Sequence, residues 1–196
     1  MKRNRKIFVI VILALLALVY YFYLSNKPGV DPTDKVVKAT KIDNLLAKDI
    51  SSIANTPKAS VKFYSEILEC LYNESPSDEE ITQLGTKARE VLDEELNNNN
   101  PTESYLIELN ADVLEYSKSN RIIMSYTVDS TDDVQYYTQD KKEYAVVNAT
   151  YTLRETDTFT KVNEEYILRK DEEGYWKILG WRISSNGTSD DKKDNE

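Results

Sequence analysis

Residues Tyr166 to Trp181 read YILRKDEEGYWKILGW. Apolar residues stand on both sides of the acidic tetrapeptide DEEG, whose Gly174 can adopt the positive φ that a tight turn requires. The stretch therefore predicts a hairpin of two antiparallel strands. The chain contains two tryptophans, Trp176 and Trp181, and both lie in the second of these strands. We expect both indoles to be buried against helices that come earlier in the chain, so that this strand closes the fold.

The adjacent pair Ile178-Leu179 interrupts the alternation of apolar and polar residues in that closing strand. A strand that buries one face alternates, so two apolar neighbours indicate a β-bulge or a central strand buried on both faces. From Arg121 onward, β-branched and aromatic residues separated by polar turns predict the whole set of strands. These strands are expected at about 121–128, 133–138, 143–155, 158–170 and 174–184.

Before Arg121 the apolar residues follow helical spacing and predict four helices. The first covers about 33–53, and the third ends in the asparagine run 97–100. The predicted starts of the other helices are Thr56-Pro57, the capping box Ser77 with Glu80, and Asn100-Pro101 with Glu103. Helices followed by antiparallel strands predict an α+β domain, in which a helical layer packs on a curved antiparallel sheet.

The first 24 residues have a different character. Four basic residues within the first six precede an uncharged run of 18 residues, Ile7 to Leu24. As a helix, this run is about 27 Å long, the lower end of a bilayer span. Because the bases precede the run, the positive-inside rule leaves the N-terminus in the cytoplasm and the rest of the chain outside. The alternative, a cleaved signal peptide, normally ends in a small-x-small site, whereas this run ends in YYFYLSNK.

The predicted organisation therefore has four parts: a basic head and signal anchor over 1–24, a linker over 25–32, an extracytoplasmic domain over 33–184 and a disordered tail over 185–196. All 34 acidic residues but only 21 of the 25 basic ones follow the anchor, which gives the outer part a net charge of −13. So acidic a surface disfavours nucleic acid as a partner. The predicted location is the cell membrane, with the C-terminal domain outside and an envelope protein as a possible partner.

The order of elements, together with the strand, acidic-glycine turn and Trp-Lys-Ile strand of Tyr166 to Trp181, resembles the nuclear-transport-factor-two-like cone, also called SnoaL-like. The chain is also similar to a family of single-pass membrane proteins of unknown function from clostridia-type Gram-positive bacteria. That pattern covers VKFYSEILECLYN (Val61 to Asn73) and SYTVDSTDDVQY (Ser125 to Tyr136), besides the hairpin. The resemblance implies a cone that encloses a pocket, and some cone proteins are isomerases or dehydratases. It brings no known activity for this chain.

The composition argues against catalysis. The chain has no histidine, the commonest general base and metal ligand. Asp129, Asp132 and Asp133 form an acidic cluster without the order of a calcium-binding loop, so a solvated turn is expected there. Cys70, the single cysteine, is predicted to be a small buried residue rather than a reactive thiol. Neither a cofactor nor a metal site is predicted.

Within the fourth strand, Glu164 and Glu165 are adjacent, so alternation directs one of them toward the helices. We expect Arg154 on the neighbouring strand to pair with the inward carboxylate, which is the single candidate for a general base.

Aromatic residues are the best candidates for a recognition site, because tyrosine offers a large contact area at little cost in entropy. Tyrosine is also a good strand former, and we favour core or sheet-surface positions for these tyrosines over a recognition role. Three functions are compatible with these features. We favour a tethered binding or scaffold module. The alternative is a subunit of a membrane machine with the layout of the scaffold subunit of type IV secretion systems, and a cone-fold enzyme is least favoured. The candidate pocket or interface residues are Tyr126, Tyr136, Tyr144, Tyr151, Tyr166, Trp176 and Trp181.

Overall fold

The computed structural model describes residues 41–184, which lie in a compact unit that begins at Lys41. The predicted anchor (1–24), linker (25–32) and tail (185–196) fall outside the described residues. Within 41–184, every helix is too short or too polar to cross a membrane.

Helices form the first half of the described chain. Residues 41–46 are helical. A 3₁₀ turn, Arg89–Val91, follows the helix Asp78–Ala88. The numbered helices are α1 (Ile50–Ile53), α2 (Pro57–Asn73), α3 (Asp78–Ala88), α4 (Glu94–Asn99) and α5 (Thr102–Lys118).

Two predicted helix starts are confirmed by their hydrogen bonds. The Thr56 side chain accepts a hydrogen bond from the Ala59 amide at 3.1 Å, with Pro57 in the first turn of α2. Ser77 and Glu80 form the reciprocal capping box at the start of α3. In each case the side chain satisfies a backbone N–H that has no partner within the helix.

Three helix boundaries were predicted wrongly. The first helix is interrupted at 47–49, where Asp49 turns to extended geometry and caps α1. The third ends at Ala88 rather than at 97–100, because Leu92 leaves the helix to form a parallel bridge with Ile178. Asp93 then caps the separate helix α4. Asn100 is the C-cap of α4 rather than the start of α5, which begins at Thr102 with no side-chain cap.

The second half of the described chain forms an antiparallel sheet, so the predicted α+β class, with helices packed on an antiparallel sheet, is confirmed. The strand order is β1-β3-β4-β5, and β2 pairs with β3 beside β1. The long strand β3 pairs through residues 149–155 with β1 and through residues 142–146 with β2. The strands are β1 (Arg121–Val128), β2 (Gln135–Gln139), β3 (Lys142–Glu155), β4 (Thr158–Lys170) and β5 (Trp176–Ile183).

The predicted hairpin between β4 and β5 is confirmed. Gly174 has φ +89°, and the Asp171 amide donates to the Tyr175 carbonyl at 2.9 Å. The Asp171 carboxylate further accepts from the Glu173 and Tyr175 amides. Beyond the turn, Leu168 pairs with Ile178 whereas Ile167 pairs with Gly180. Leu179 is therefore the additional residue of a β-bulge, as the Ile178-Leu179 pair predicted.

One face of the sheet packs on the helices. Ala145, Val147 and Ala149 of β3 and Leu168 of β4 are buried on this face, together with Ile178 of β5. The partners across the strands share the face, because paired residues of adjacent strands point to the same side. The face is therefore nearly continuous in apolar side chains where the helices cover it.

Backbone groups on the outer edge of β5 are bonded to the helical layer. The Trp176 amide donates to the Ala54 carbonyl at 2.8 Å, and the Asp93 amide donates to the Ile178 carbonyl at 2.8 Å. The Ser60 hydroxyl donates to the Trp176 carbonyl at 2.6 Å. The first half of β5 is thereby fastened to the helices by hydrogen bonds as well as by apolar contacts.

The two tryptophans differ in burial, which corrects one expectation. Trp176 is 6% exposed, as predicted, but Trp181 is 42% exposed. Trp181 pairs with Tyr166 and shares its helix-facing side. The indole contacts Tyr64 of α2, with ring centroids 5.6 Å apart, and otherwise lines the cavity between the two layers.

Candidate ligand-binding cavity

A cavity of about 480 Å³ lies between the sheet and helices α2, α4 and α5. Its volume falls within the range of small-molecule sites, about 300–1,000 Å³. The wall is mainly apolar and aromatic, with three carboxylates and one amide. The aromatic members are Tyr64, Tyr72, Tyr105, Tyr116, Tyr151 and Trp181, and the carboxylates are Glu108, Asp112 and Glu164.

A chain of hydroxyl groups leads from the helical layer to one of these carboxylates. The Ser65 and Tyr151 hydroxyl oxygens are 2.7 Å apart, and those of Tyr151 and Tyr166 are 2.9 Å apart. Tyr166 donates to Oε2 of Glu164 at 2.6 Å. Burial raises the pKa of Tyr151 to about 12 and that of Tyr166 far above its ordinary value. Both phenols therefore stay protonated and remain available as donors at neutral pH.

Glu164 is the inward-facing member of the glutamate pair in β4. Burial raises the pKa of its carboxyl group, although the hydrogen bond from Tyr166 acts in the opposite direction. Its neighbour Glu165 points to the other face and pairs with Arg182 at 2.5 Å. The prediction that Arg154 pairs with the inward carboxylate is therefore wrong. The group that bonds to this carboxylate is the Tyr166 hydroxyl.

The helical wall contributes a stacked pair of tyrosines. The rings of Tyr72 in α2 and Tyr116 in α5 are 3.9 Å apart between centroids and nearly parallel, at 18°. Asp112 and Glu164 each raise the pKa of both phenols, in addition to the larger effect of burial. Carboxylates on the helical side and on the sheet side therefore act on the same stacked pair.

Two arginines lie against tyrosines of the cavity without lining it. The Arg89 guanidinium is 5.1 Å from the Tyr105 ring centroid and donates to the carbonyls of Asn97 and Asn100. Arg121 is likewise 5.1 Å from the Tyr116 ring centroid and pairs with Glu155 at 2.6 Å. Both guanidinium groups therefore already bond to oxygen atoms outside the cavity wall or to backbone carbonyls, Arg89 to those of Asn97 and Asn100 and Arg121 to the Glu155 carboxylate.

The remaining two carboxylates, Glu108 and Asp112, belong to exposed residues of α5. Partial burial raises the pKa of Asp112, and the negative charges of Glu115 and Glu108 add to this effect. Over residues 41–184, the cavity wall contains neither lysine nor arginine. The charged side chains that line the cavity are all carboxylates, which disfavours an anion as its occupant.

The predicted aromatic residues are spread over both faces of the sheet. Tyr151 and Trp181 line the cavity, and Tyr166 lies behind Glu164. The half-buried Tyr126 ring is 6.2 Å from that of Tyr151. Away from the cavity, Tyr136 meets the edge of Trp176 at 5.6 Å, and Tyr144 stacks on Tyr137 at 5.1 Å.

The helical tyrosines were missing from the predicted site. Tyr64 and Tyr116 belong to the apolar stripes from which α2 and α5 were predicted, and Tyr72 continues the α2 stripe at a spacing of eight residues. In α5, Tyr105, Leu109, Asp112 and Tyr116 recur at intervals of three or four residues and therefore share one face. The sequence signal for the helical half of the site was therefore Asp112, a carboxylate within an otherwise apolar and aromatic helix face.

The other chemical candidates are structural. Asp129 accepts hydrogen bonds from the backbone and side-chain nitrogens of Asn148 at 2.8 and 2.9 Å, and Ser130 donates to Asp133 at 2.7 Å. In the described part of the chain, no group of three or more ligating side chains could hold a metal ion. Cys70 is buried, as predicted, and burial raises the pKa of its thiol to about 11.

The fold and cavity define an α+β domain in which helices and an antiparallel sheet enclose a tyrosine-rich, acidic pocket. The chain matches a family described as "Domain of unknown function (DUF6715)" over residues 1–181, and it belongs to that family. A search of curated proteins finds no match.

Proposed function

We propose that the protein is a membrane-anchored, extracytoplasmic binding module of the bacterial cell envelope, and that the cavity holds its ligand. The observation that carries this proposal is the cavity itself, a space of about 480 Å³ with apolar walls and a few polar groups. Ligand sites are commonly concave, mainly apolar and supplied with a small number of orienting polar groups.

The fold supports the same proposal. Helices precede an antiparallel sheet, and the cavity lies between the two layers, which is the arrangement expected of a nuclear-transport-factor-two-like cone. The anchor at 7–24 and the outward orientation are proposed from the sequence, by the basic head and the uncharged run that follows it.

A cone-fold isomerase or dehydratase is the second candidate, and one observation favours it. Glu164 lines the cavity, and burial raises the pKa of its carboxyl group toward the range of a general base. Catalysis also requires an acid or base on the other side of the substrate. The groups across the cavity from Glu164 include the phenols of Tyr72 and Tyr116, whose pKa values are raised. Such phenols are poor bases at neutral pH, and the two carboxylates of the helical side, Glu108 and Asp112, belong to exposed residues. Binding is therefore the better-supported function.

The test is thermal unfolding of the full chain against a panel of small cationic, neutral and anionic metabolites. Val162→Trp should fill the cavity, because Val162 lines it from β4. Lys161→Trp places the same indole on the other side of the strand and is the matched control. A ligand should raise the midpoint for the wild type and for Lys161→Trp, but not for Val162→Trp. If no compound stabilises the wild type, or if stabilisation survives in Val162→Trp, the cavity is not the binding site.

The panel also separates binding from catalysis. Each stabilising compound should be recovered unchanged after prolonged incubation, as followed by proton NMR. Conversion that requires the Glu164 carboxylate, and is therefore absent from Glu164→Gln, would establish the enzyme and reject the binding module.

A further inference from the structure

We infer that the ligand is a small organic monocation, an amine with an apolar body, whose ammonium group is held by Glu164. This inference rests on the proposed function, and it names the chemistry that the cavity selects.

The first argument is the charge of the wall. Its ionisable groups, apart from the phenols, are Glu108, Asp112 and Glu164, and in the described chain none of the three forms an ion pair. Glu108 and Asp112 are exposed, so the inference rests on the half-buried Glu164, because a carboxylate withdrawn from solvent is usually neutralised by a cation or by protonation. An ammonium ion from solution would supply the missing charge.

The second argument is the hydrogen bonding of Glu164. Burial raises the pKa of the Glu164 carboxyl group, while the hydrogen bond that its Oε2 accepts from the Tyr166 hydroxyl at 2.6 Å acts in the opposite direction and fixes the side chain. Among the described residues, Oε1 receives no hydrogen bond, while the residue lines the cavity. An ammonium N–H is the complementary donor for this oxygen, because a charge-assisted bond is stronger than a neutral one.

The third argument is the arrangement of the remaining wall. Two further carboxylates, Glu108 and Asp112, lie at exposed positions of α5 and can attract a cation to the cavity that they line. Between them and Glu164, the wall is made of tyrosine rings and aliphatic side chains such as Leu68 and Leu109. Such a wall suits a hydrocarbon or aromatic body, whereas a highly polar cation would leave its own groups unpaired.

Three probes with the same body and different charge test the inference: phenethylamine, phenethyl alcohol and hydrocinnamate. Titration calorimetry with the full chain should give the tightest binding for the amine, about tenfold tighter than for the alcohol, with the anion weakest. Glu164→Gln should lower the affinity for the amine by about tenfold and leave that for the alcohol nearly unchanged. Glu165→Gln, on the opposite face of β4, should change neither.

Two results would overturn the inference. The first is equal binding of amine and alcohol that Glu164→Gln does not alter. The second is absence of binding by the amine at millimolar concentration. The proposed function is judged separately, by whether Val162→Trp abolishes the binding of whichever probe or panel compound does bind. A neutral or anionic compound bound in that manner would reject the ligand class and retain the binding module.

Discussion

The guanidinium group of Arg169 in β4 forms a bidentate ion pair with the carboxylate of Asp93, through two hydrogen bonds. Nε donates to Oδ2 at 3.0 Å, and Nη2 donates to Oδ1. The Asp93 side chain is 5% exposed and that of Arg169 is 17% exposed. Because Asp93 also caps α4, this ion pair joins the helical layer to the middle of the sheet.

Replacing Asp93 by Asn should therefore destabilise the domain by about 3 kcal/mol, the lower end of the range for breaking a buried pair. The lower end is appropriate because Glu95 remains within 3.2 Å of Arg169. Chemical denaturation of the full chain measures the loss. Glu95→Gln is the matched control, since it removes an exposed partner of the same arginine and should cost under about 1 kcal/mol. Equal losses in the two variants would contradict this view of the pair.

The two tryptophans should contribute unequally to stability. Trp176→Ala removes a buried indole and should cost about 3–5 kcal/mol. Trp181→Ala removes a half-exposed one that lines the cavity and should cost about 1–2 kcal/mol. Denaturant unfolding, followed by circular dichroism, compares the two. A larger loss for Trp181 would mean that the cavity is closed in solution.

Tyr166→Phe should destabilise the domain in a manner that depends on pH. Where Glu164 is ionised, the substitution leaves its carboxylate without this donor, at a cost of about 1–3 kcal/mol. The hydrogen bond lowers the pKa of Glu164, so it stabilises the ionised form and its contribution disappears as the pH falls through that pKa. The destabilisation should therefore shrink on acidification. Tyr151→Phe, which leaves the bond to Glu164 in place, is the control and should show a nearly constant loss.

Glu164→Gln should stabilise the domain at neutral pH, by roughly 0.5–1 kcal/mol. The net pKa of Glu164 is raised in the folded chain above the ordinary 4.5. The native state therefore binds this proton more tightly than the unfolded state does. Ionisation of Glu164 lowers the stability of the wild type as the pH rises from the ordinary pKa of 4.5 through the raised pKa of the folded chain. Glutamine keeps an acceptor for Tyr166 without the charge. Thermal unfolding at neutral pH and near pH 4 should show a gain that vanishes in acid, and a loss at neutral pH would contradict the argument.

The proposed topology is tested by thiol labelling of intact cells. Cys70 is buried and its thiol has a raised pKa, so it gives little background. Ser189→Cys should react with an impermeant maleimide. Asn4→Cys, in the basic head, should react only after the cells are permeabilised. Protection at Ser189, or labelling at Asn4 in intact cells, would reject the outward orientation.

Much of the fold could be predicted because the decisive signals are local. Gly174 within an acidic turn, the box of Ser77 with Glu80, and the apolar pair Ile178-Leu179 each specify backbone geometry within a few residues. The break at Leu92 could not be predicted in this way. It depends on a bridge to Ile178, 86 residues further along the chain, which takes Leu92 out of the apolar stripe of α3.

The cavity was predicted only in part for the same reason. Alternation along β4 predicted one inward carboxylate, and the structure identifies it as Glu164. Its partner, Tyr166, is two residues away on the same face of β4. Alternation places both side chains on that face, but it does not show that Glu164 bonds to Tyr166 rather than to Arg154. The helical half of the wall depends on how α2 and α5 are placed over the sheet, and helical periodicity gives a buried face without giving its distance from the strands.

The bonds along the free side of β5 also bear on self-association. An unpaired strand at the border of a sheet is a template on which a second chain can add its own strand. Here the Trp176 amide and the Ile178 carbonyl already have partners, Ala54 and Asp93, within the same molecule. A further strand cannot pair there unless these helical segments detach first. The native domain should consequently resist edge-to-edge polymerisation along the first half of β5, and any swapped or fibrillar species would have to begin from a partly opened molecule.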